Sequence, residues 1–294
     1  MTLPNFLVIG AQRSGTTLLH RVLEAHSEIY VPHRRKEVHY FDWYFDRGVR
    51  WYERFFPSSV HAVRYNAIGE ITPDYLFDES APHRIHATLQ ECRFVVSLRN
   101  PVDRAYSWYQ FLVRRVAERR SADEFFKENE EALARGLYSQ QLNRYFEWFP
   151  RNNFLNLIFE EMLLHPATNL ERLAEFLDLS HAWPDPAALM RERINASEVP
   201  RFGVAFKRAQ RVGQVFTRHD LDWVVRLARR TGLPELLGRG SPAPSLSPST
   251  RAWLQDYYRE EIFRLESLLQ RDLEIWRRAR PAIPADRASA TSQR

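Results

Sequence analysis

The chain of 294 residues has a single cysteine, Cys92. One thiol excludes an internal disulfide and leaves no thiolate framework for a zinc site, so a reducing compartment, the cytoplasm, is the expected setting. Cys92 stands just before the apolar run Phe94-Val95-Val96, where a buried, inert thiol is expected. No apolar stretch approaches the roughly 20 residues of a bilayer-crossing helix. Met1-Thr2-Leu3-Pro4 leads almost directly into a strand-like run, without the basic and apolar regions of a secretory leader. No membrane span is therefore expected. Internal repeats are absent. Neither sign of charge dominates: 42 Lys and Arg face 37 Asp and Glu, a formal charge of +5. That balance suits an anionic ligand without calling for nucleic acid as a partner.

What is present is enough apolar material, 44% of residues, for a sizeable core. One domain over 1–280 is expected, followed by a small, polar tail at 281–294 that is expected to be disordered. Phe6-Leu7-Val8-Ile9 reads as a strand buried on both faces. The stripe of Thr17, Leu18, Leu19, Val22 and Leu23 predicts a helix to about Ala25. Arg93 to Leu98 reads as a second buried strand, with Pro101 opening a long amphipathic helix after it. A strand over Phe154 to Phe159 and a helix over Ala167 to Leu179 follow the same alternation. Thr250 to Arg278 predicts one long helix or two. Strands alternating with helices imply an α/β fold, an open parallel sheet with helices on both faces.

Between the first strand and its helix lies Gly10-Ala11-Gln12-Arg13-Ser14-Gly15-Thr16-Thr17. This is the glycine spacing of a phosphate-binding loop, with Thr16 in the usual lysine position. Backbone N–H groups there, with the positive end of the helix, form a cradle for an anion. A kinase or ATPase site normally needs the lysine, and an acid from a second strand to hold Mg²⁺. Here the strand ending at Leu98 delivers Arg99 instead. A sulfuryl group carries less charge than a phosphoryl group, so fixed cations such as Arg13 can stand in for a metal.

Three segments together resemble the sulfotransferase superfamily, and within it the heparan sulfate 3-O- and N-sulfotransferase type and bacterial relatives. They are the loop Gly10 to Thr17, the stretch Arg93 to Ser107, and Lys36-Glu-Val-His-Tyr-Phe-Asp42 with Gly48-Val-Arg-Trp-Tyr52. Gly69-Glu-Ile-Thr-Pro-Asp-Tyr75, Phe149-Pro150, Glu161-Met-Leu and Leu268 to Trp276 extend the likeness over most of the chain. The resemblance implies a P-loop, nucleotide-kinase-like sheet and a donor, 3′-phosphoadenosine 5′-phosphosulfate (PAPS). It implies in-line sulfuryl transfer to a hydroxyl or amine of a carbohydrate-like or small-metabolite acceptor, with no metal required. A P-loop nucleotide or sugar kinase is the alternative, and a non-catalytic anion or nucleic-acid binder is a third reading.

Roles follow residue by residue. Arg13 stands where the family places a basic residue, often lysine, on the 5′-phosphosulfate. Ser14, Gly15, Thr16 and Thr17 complete the loop around that anion, Thr17 being alternatively a helix cap. Arg99 and Ser107 match the family's pair on the 3′-phosphate, and Arg201, within Asn195 to Arg208, falls where a basic loop covers it. Glu37 aligns with the glutamate that deprotonates the acceptor. His39, on the same face if the segment is an extended strand, orients Glu37 or is itself the base. Arg104 reads as a structural partner of nearby carboxylates, and Glu70 as lining the acceptor site or making a structural hydrogen bond. Trp43, Tyr44, Trp51, Tyr52, Trp108 and Tyr109 either form a sugar-stacking cleft or pack in the core. The pattern breaks at Ile71, where the heparan enzymes carry a lysine that contacts donor and transition state. Lys36 or Arg201 is then left to reach in.

Overall fold

The computed structural model describes residues 2–33, 35–89, 91–115, 118–191 and 245–277. Arg201, the segment around it and the tail at 281–294 lie outside these. The strands are β1 (Phe6–Gly10), β2 (Ile29–Tyr30), β3 (Ala67–Ile71), β4 (Arg93–Leu98) and β5 (Phe154–Ile158). The helices are α1 (Thr16–Glu24), α2 (Val49–Glu53), α3 (Ser59–Ala62), α4 (Ala81–Thr88), α5 (Pro101–Arg115) and α6 (Ala122–Glu128). They continue with α7 (Glu130–Ala134), α8 (Tyr138–Phe146), α9 (Phe159–Leu164), α10 (Pro166–Phe176), α11 (Pro186–Arg191), α12 (Pro248–Tyr257) and α13 (Arg259–Leu269).

All five strands run parallel in the order β2-β3-β1-β4-β5. Their alternation sorts the core into two layers. Leu7 and Ile9 of β1, with Phe94, Val96 and Leu98 of β4, meet Tyr75, Tyr138, Tyr145 and Leu265 on one face. Phe6, Val8 and Val95 point the other way, to Leu19 and Val22 of α1 and Leu170 and Leu173 of α10. Burial on both faces explains why these strands read as continuous apolar runs. A third cluster joins α5, α6, α7 and α12 through Tyr109, Phe125, Phe126, Leu133 and Leu254. The expected open parallel sheet with helices on both faces is met.

The stretch expected as one long helix or two is two, α12 and α13, meeting at Tyr258. The helix expected from Ala167 begins at Pro166, a residue suited to a first helical turn. Strands β2 and β3 were not anticipated. The first is two residues long, and the second holds Gly69 and Glu70 in place of an unbroken apolar run. From β1 the chain passes through α1 to β2 and β3 on one side, while β4 and β5 lie on the other. Adjacent strands whose connections leave to opposite sides open a crevice at their carboxyl ends, the usual ligand position in such sheets.

Candidate functional site

The loop that leaves β1 enters that crevice. At Gly10 an added Cβ would meet Leu76 at 2.6 Å, and at Gly15, with φ of 82°, it would meet the Phe159 ring at 2.3 Å. Both positions therefore demand glycine. Ala11 N donates to Ser97 O at 2.7 Å, Ser97 Oγ to Ser14 O at 2.6 Å, and Arg99 Nη1 to Arg13 O at 3.1 Å. The end of β4 thus fixes the loop. Gly15 stands at the N-cap of α1, without a side-chain cap, and Thr17 lies inside the helix, which removes the alternative reading of Thr17 as the cap. Amides at a helix N-terminus without a side-chain cap can donate hydrogen bonds to an anion, aided by the helix dipole.

Arg13, at φ of 71°, donates from Nε to Ser107 Oγ at 3.2 Å, and its guanidinium lies 5.0 Å from the Phe111 ring centre. Arg99 lies 5.2 Å from the Phe159 ring centre. The fold thus gathers Arg13, Arg99 and Ser107, which are 94 residues apart at their extremes, around one loop with Ser14, Gly15, Thr16 and Thr17. Arg201 lies outside the described residues.

The segment Lys36 to Asp42 crosses the same opening. Lys36 Nζ donates to Thr17 Oγ1 at 2.8 Å and to Glu37 Oε1 at 3.2 Å. His39 pairs with Asp42 Oδ2 through Nδ1 at 2.8 Å and with Glu37 Oε2 through Nε2 at 3.7 Å. It reaches Glu37 from a turn at φ of 57°, which corrects the expected extended strand: a left-handed residue breaks the two-residue alternation. Burial alone would lift the Glu37 carboxyl, but the His39 hydrogen bond and the Lys36 and His39 charges outweigh it and hold the group at about 2. Burial likewise opposes charge on His39, yet Asp42 and Glu37 outweigh it and raise the imidazole to about 10. The result is an ionised glutamate against an imidazolium. Asp42, whose side chain is 2% exposed, was missed as a partner. Its place three residues after His39 was the available signal.

Beneath this segment sits Glu70, wholly buried. It accepts from Tyr52 Oη at 2.6 Å, Thr72 Oγ1 at 2.8 Å, Tyr75 Oη at 2.9 Å and Val38 N at 3.3 Å. Tyr75 Oη in turn accepts from Tyr40 N at 2.7 Å and Phe41 N at 3.2 Å, and Thr72 Oγ1 from Val38 N at 3.1 Å and His39 N at 3.4 Å. Glu70 is thus structural, the second of its two readings. Ile71, its neighbour, is wholly buried opposite Val8 under α1.

One further expectation is corrected, and one open choice is narrowed. Arg104 is wholly buried and bonds to the Ala132 carbonyl, with no carboxylate partner among the described residues. Among the six aromatics, Trp51, Tyr52 and Tyr109 are core residues. Trp43 is the exposed one, at 66%, stacked on His39 with ring centres 3.8 Å apart.

Residues 3–198 match the sulfotransferase domain family. The chain belongs to the sulfotransferase family. Over 290 residues it is 27% identical to human bifunctional heparan sulfate N-deacetylase/N-sulfotransferase 3, covering 92% of this chain and 30% of that one. Over 194 residues it is 30% identical to mouse heparan sulfate glucosamine 3-O-sulfotransferase 6, covering 62% of this chain and 54% of that one. It therefore spans less than two thirds of either relative's length. The crystal structure of a sulfotransferase from Alicyclobacillus acidocaldarius superposes with a TM-score of 0.64 at 25% identity, over 95% of this chain and all of that one. The sulfotransferase resemblance and the P-loop-like sheet, both expected from the sequence, are thereby met. No described helix of this sulfotransferase is long and apolar enough to cross a membrane.

Proposed function

We propose that this sulfotransferase moves the sulfuryl group of PAPS to a hydroxyl or amine of a carbohydrate-like or small-metabolite acceptor, in one in-line step within a single domain. The observation that supports it most is the meeting of Glu37, ionised and paired with His39, with a phosphate loop that lacks the kinase lysine. Glu37 takes the acceptor proton as the nucleophile forms its bond to sulfur. The bond from sulfur to the 5′-phosphate oxygen breaks, and the 3′,5′-bisphosphate leaves with the electron pair. Arg13 and the amides of α1 stabilise the charge that builds on the departing phosphate, while Arg99 and Ser107 hold the 3′-phosphate. His39, already protonated, orients Glu37 and is not the base. Arg13 as the loop's cation and Arg99 at the end of β4 support a step without Mg²⁺. The exposed indole of Trp43, beside His39, suits the apolar face of a sugar ring. The buried thiol of Cys92 and the absence of a second cysteine suit a cytoplasmic setting.

The test is transfer of labelled sulfuryl from PAPS to a panel of glycan and small hydroxyl or amine acceptors, with chelator present. Labelled product that disappears in Glu37→Gln supports the reading. Mg²⁺-dependent phosphoryl transfer from ATP to the same panel would replace it with a kinase.

A further inference from the structure

Strand β3 brings no cation to the crevice, since Ile71 is wholly buried beneath α1. The cation that the described residues place between loop and carboxylate comes from a different segment. Lys36 Nζ bridges Thr17, in the first turn of α1, and Glu37, at 2.8 and 3.2 Å. An ammonium has three donors, and these contacts use two of them. Only three of the chain's 42 basic residues are lysine, at 36, 127 and 207. A compact charge at this place, rather than the arginine used nearly everywhere else, suits a single terminal oxygen of an anion between two closely spaced partners.

We propose that Lys36 is a catalytic residue that binds the sulfuryl oxygens of the donor, carrying the cationic role that β3 cannot supply. The proposal rests on the PAPS reading above and names a ligand atom for this side chain. The anion-binding amides of α1 and the carboxylate at Glu37 bracket the path from leaving phosphate to acceptor, and Lys36 spans that bracket. As the acceptor–sulfur bond forms and the sulfur–oxygen bond to the 5′-phosphate breaks, the sulfuryl oxygens keep their charge and Lys36 keeps its proton. The acceptor proton goes to Glu37.

The experiment compares binding of PAPS and of 3′,5′-adenosine bisphosphate, which lacks only the sulfuryl group, to the wild type, Lys36→Ala and Lys36→Arg. Lys36 is 30% exposed, so both variants are expected to fold, which circular dichroism checks. The expected result is a loss of about tenfold or more in PAPS affinity for Lys36→Ala, about 1.4 kcal/mol. Bisphosphate binding is unchanged, and Lys36→Arg recovers part of the loss. Equal losses for both nucleotides, or none for PAPS, would assign Lys36 to holding the loop and overturn the proposal. Failure of the wild type to bind either nucleotide would overturn the donor reading first, and this proposal with it.

Discussion

Against burial, Asp42 and Glu37 together raise His39 to about 10, and His39 and Lys36 lower Glu37 to about 2. The sign of each effect on stability follows from the direction of its shift. His39, raised from an ordinary 6.5 to about 10, stabilises the fold fully below 6.5 and loses that contribution as pH rises through about 10. Glu37, lowered from 4.5 to about 2, contributes above 4.5 and loses the contribution as pH falls towards about 2. The melting-temperature difference between wild type and His39→Gln is therefore expected to shrink as pH is raised from about 7 to about 10. For catalysis the same pairing predicts a kcat/KM profile flat from about pH 5 to about pH 9, with no histidine limb near neutrality. A limb near pH 6.5 would make His39 the base. Glu37→Gln is expected to lower kcat by about 10²–10⁴ while leaving bisphosphate affinity unchanged. The types and order of these residues were legible in the sequence. Their ion pairing was not, because His39 reaches Glu37 from a left-handed turn that no alternation pattern predicts.

The segment from Lys36 to Asp42 has no strand of its own to hold it, and a polar cluster of Glu70 on β3 with Thr72 and Tyr75 just after it does the holding. Two hydroxyls and one carboxylate collect four consecutive backbone N–H groups, from Val38 to Phe41. Tyr75→Phe leaves the Tyr40 and Phe41 amides without their acceptor in a buried place. Such a loss costs about 1–3 kcal/mol and is expected to lower the melting temperature by several degrees. The same change lowers kcat more than it raises the bisphosphate Kd, because the loop around Gly15 is fixed by β4 instead. A fall in affinity equal to the fall in kcat would contradict this division. The sequence showed β1, β4 and β5, whose apolar residues run together with few polar interruptions: Arg93 and Ser97 in β4 and Asn156 in β5. It concealed β3, whose Glu70 is buried without an apolar signature and is intelligible only once Tyr52, Thr72 and Tyr75 surround it.

Across the whole molecule, two layers of side chains clamp a parallel sheet, and the crevice at its carboxyl edge gathers residues from distant parts of the chain. Cys92 belongs to one of those layers, 3% exposed, with burial pushing its thiol well above the ordinary value. It is expected to resist a thiol reagent in the native protein and to react as one equivalent after unfolding. Rapid native labelling would contradict the packing of the face shared by Phe94 and Tyr145. The alternation of strands and helices made this architecture legible from the sequence alone. The order of strands depends on crossovers that local patterns do not encode. The roles proposed for Arg13, Arg99 and Ser107 require that the crevice between β1 and β4 take a 3′-phosphorylated adenosine nucleotide. Calorimetric titration with 3′,5′-adenosine bisphosphate, against ATP, ADP and 5′-AMP and repeated on Arg99→Ala, tests it most directly. Metal-independent binding of the bisphosphate is expected, preferred by about tenfold or more over the other nucleotides and lost in the variant. No binding, or a Mg²⁺-dependent preference for ATP, would contradict it.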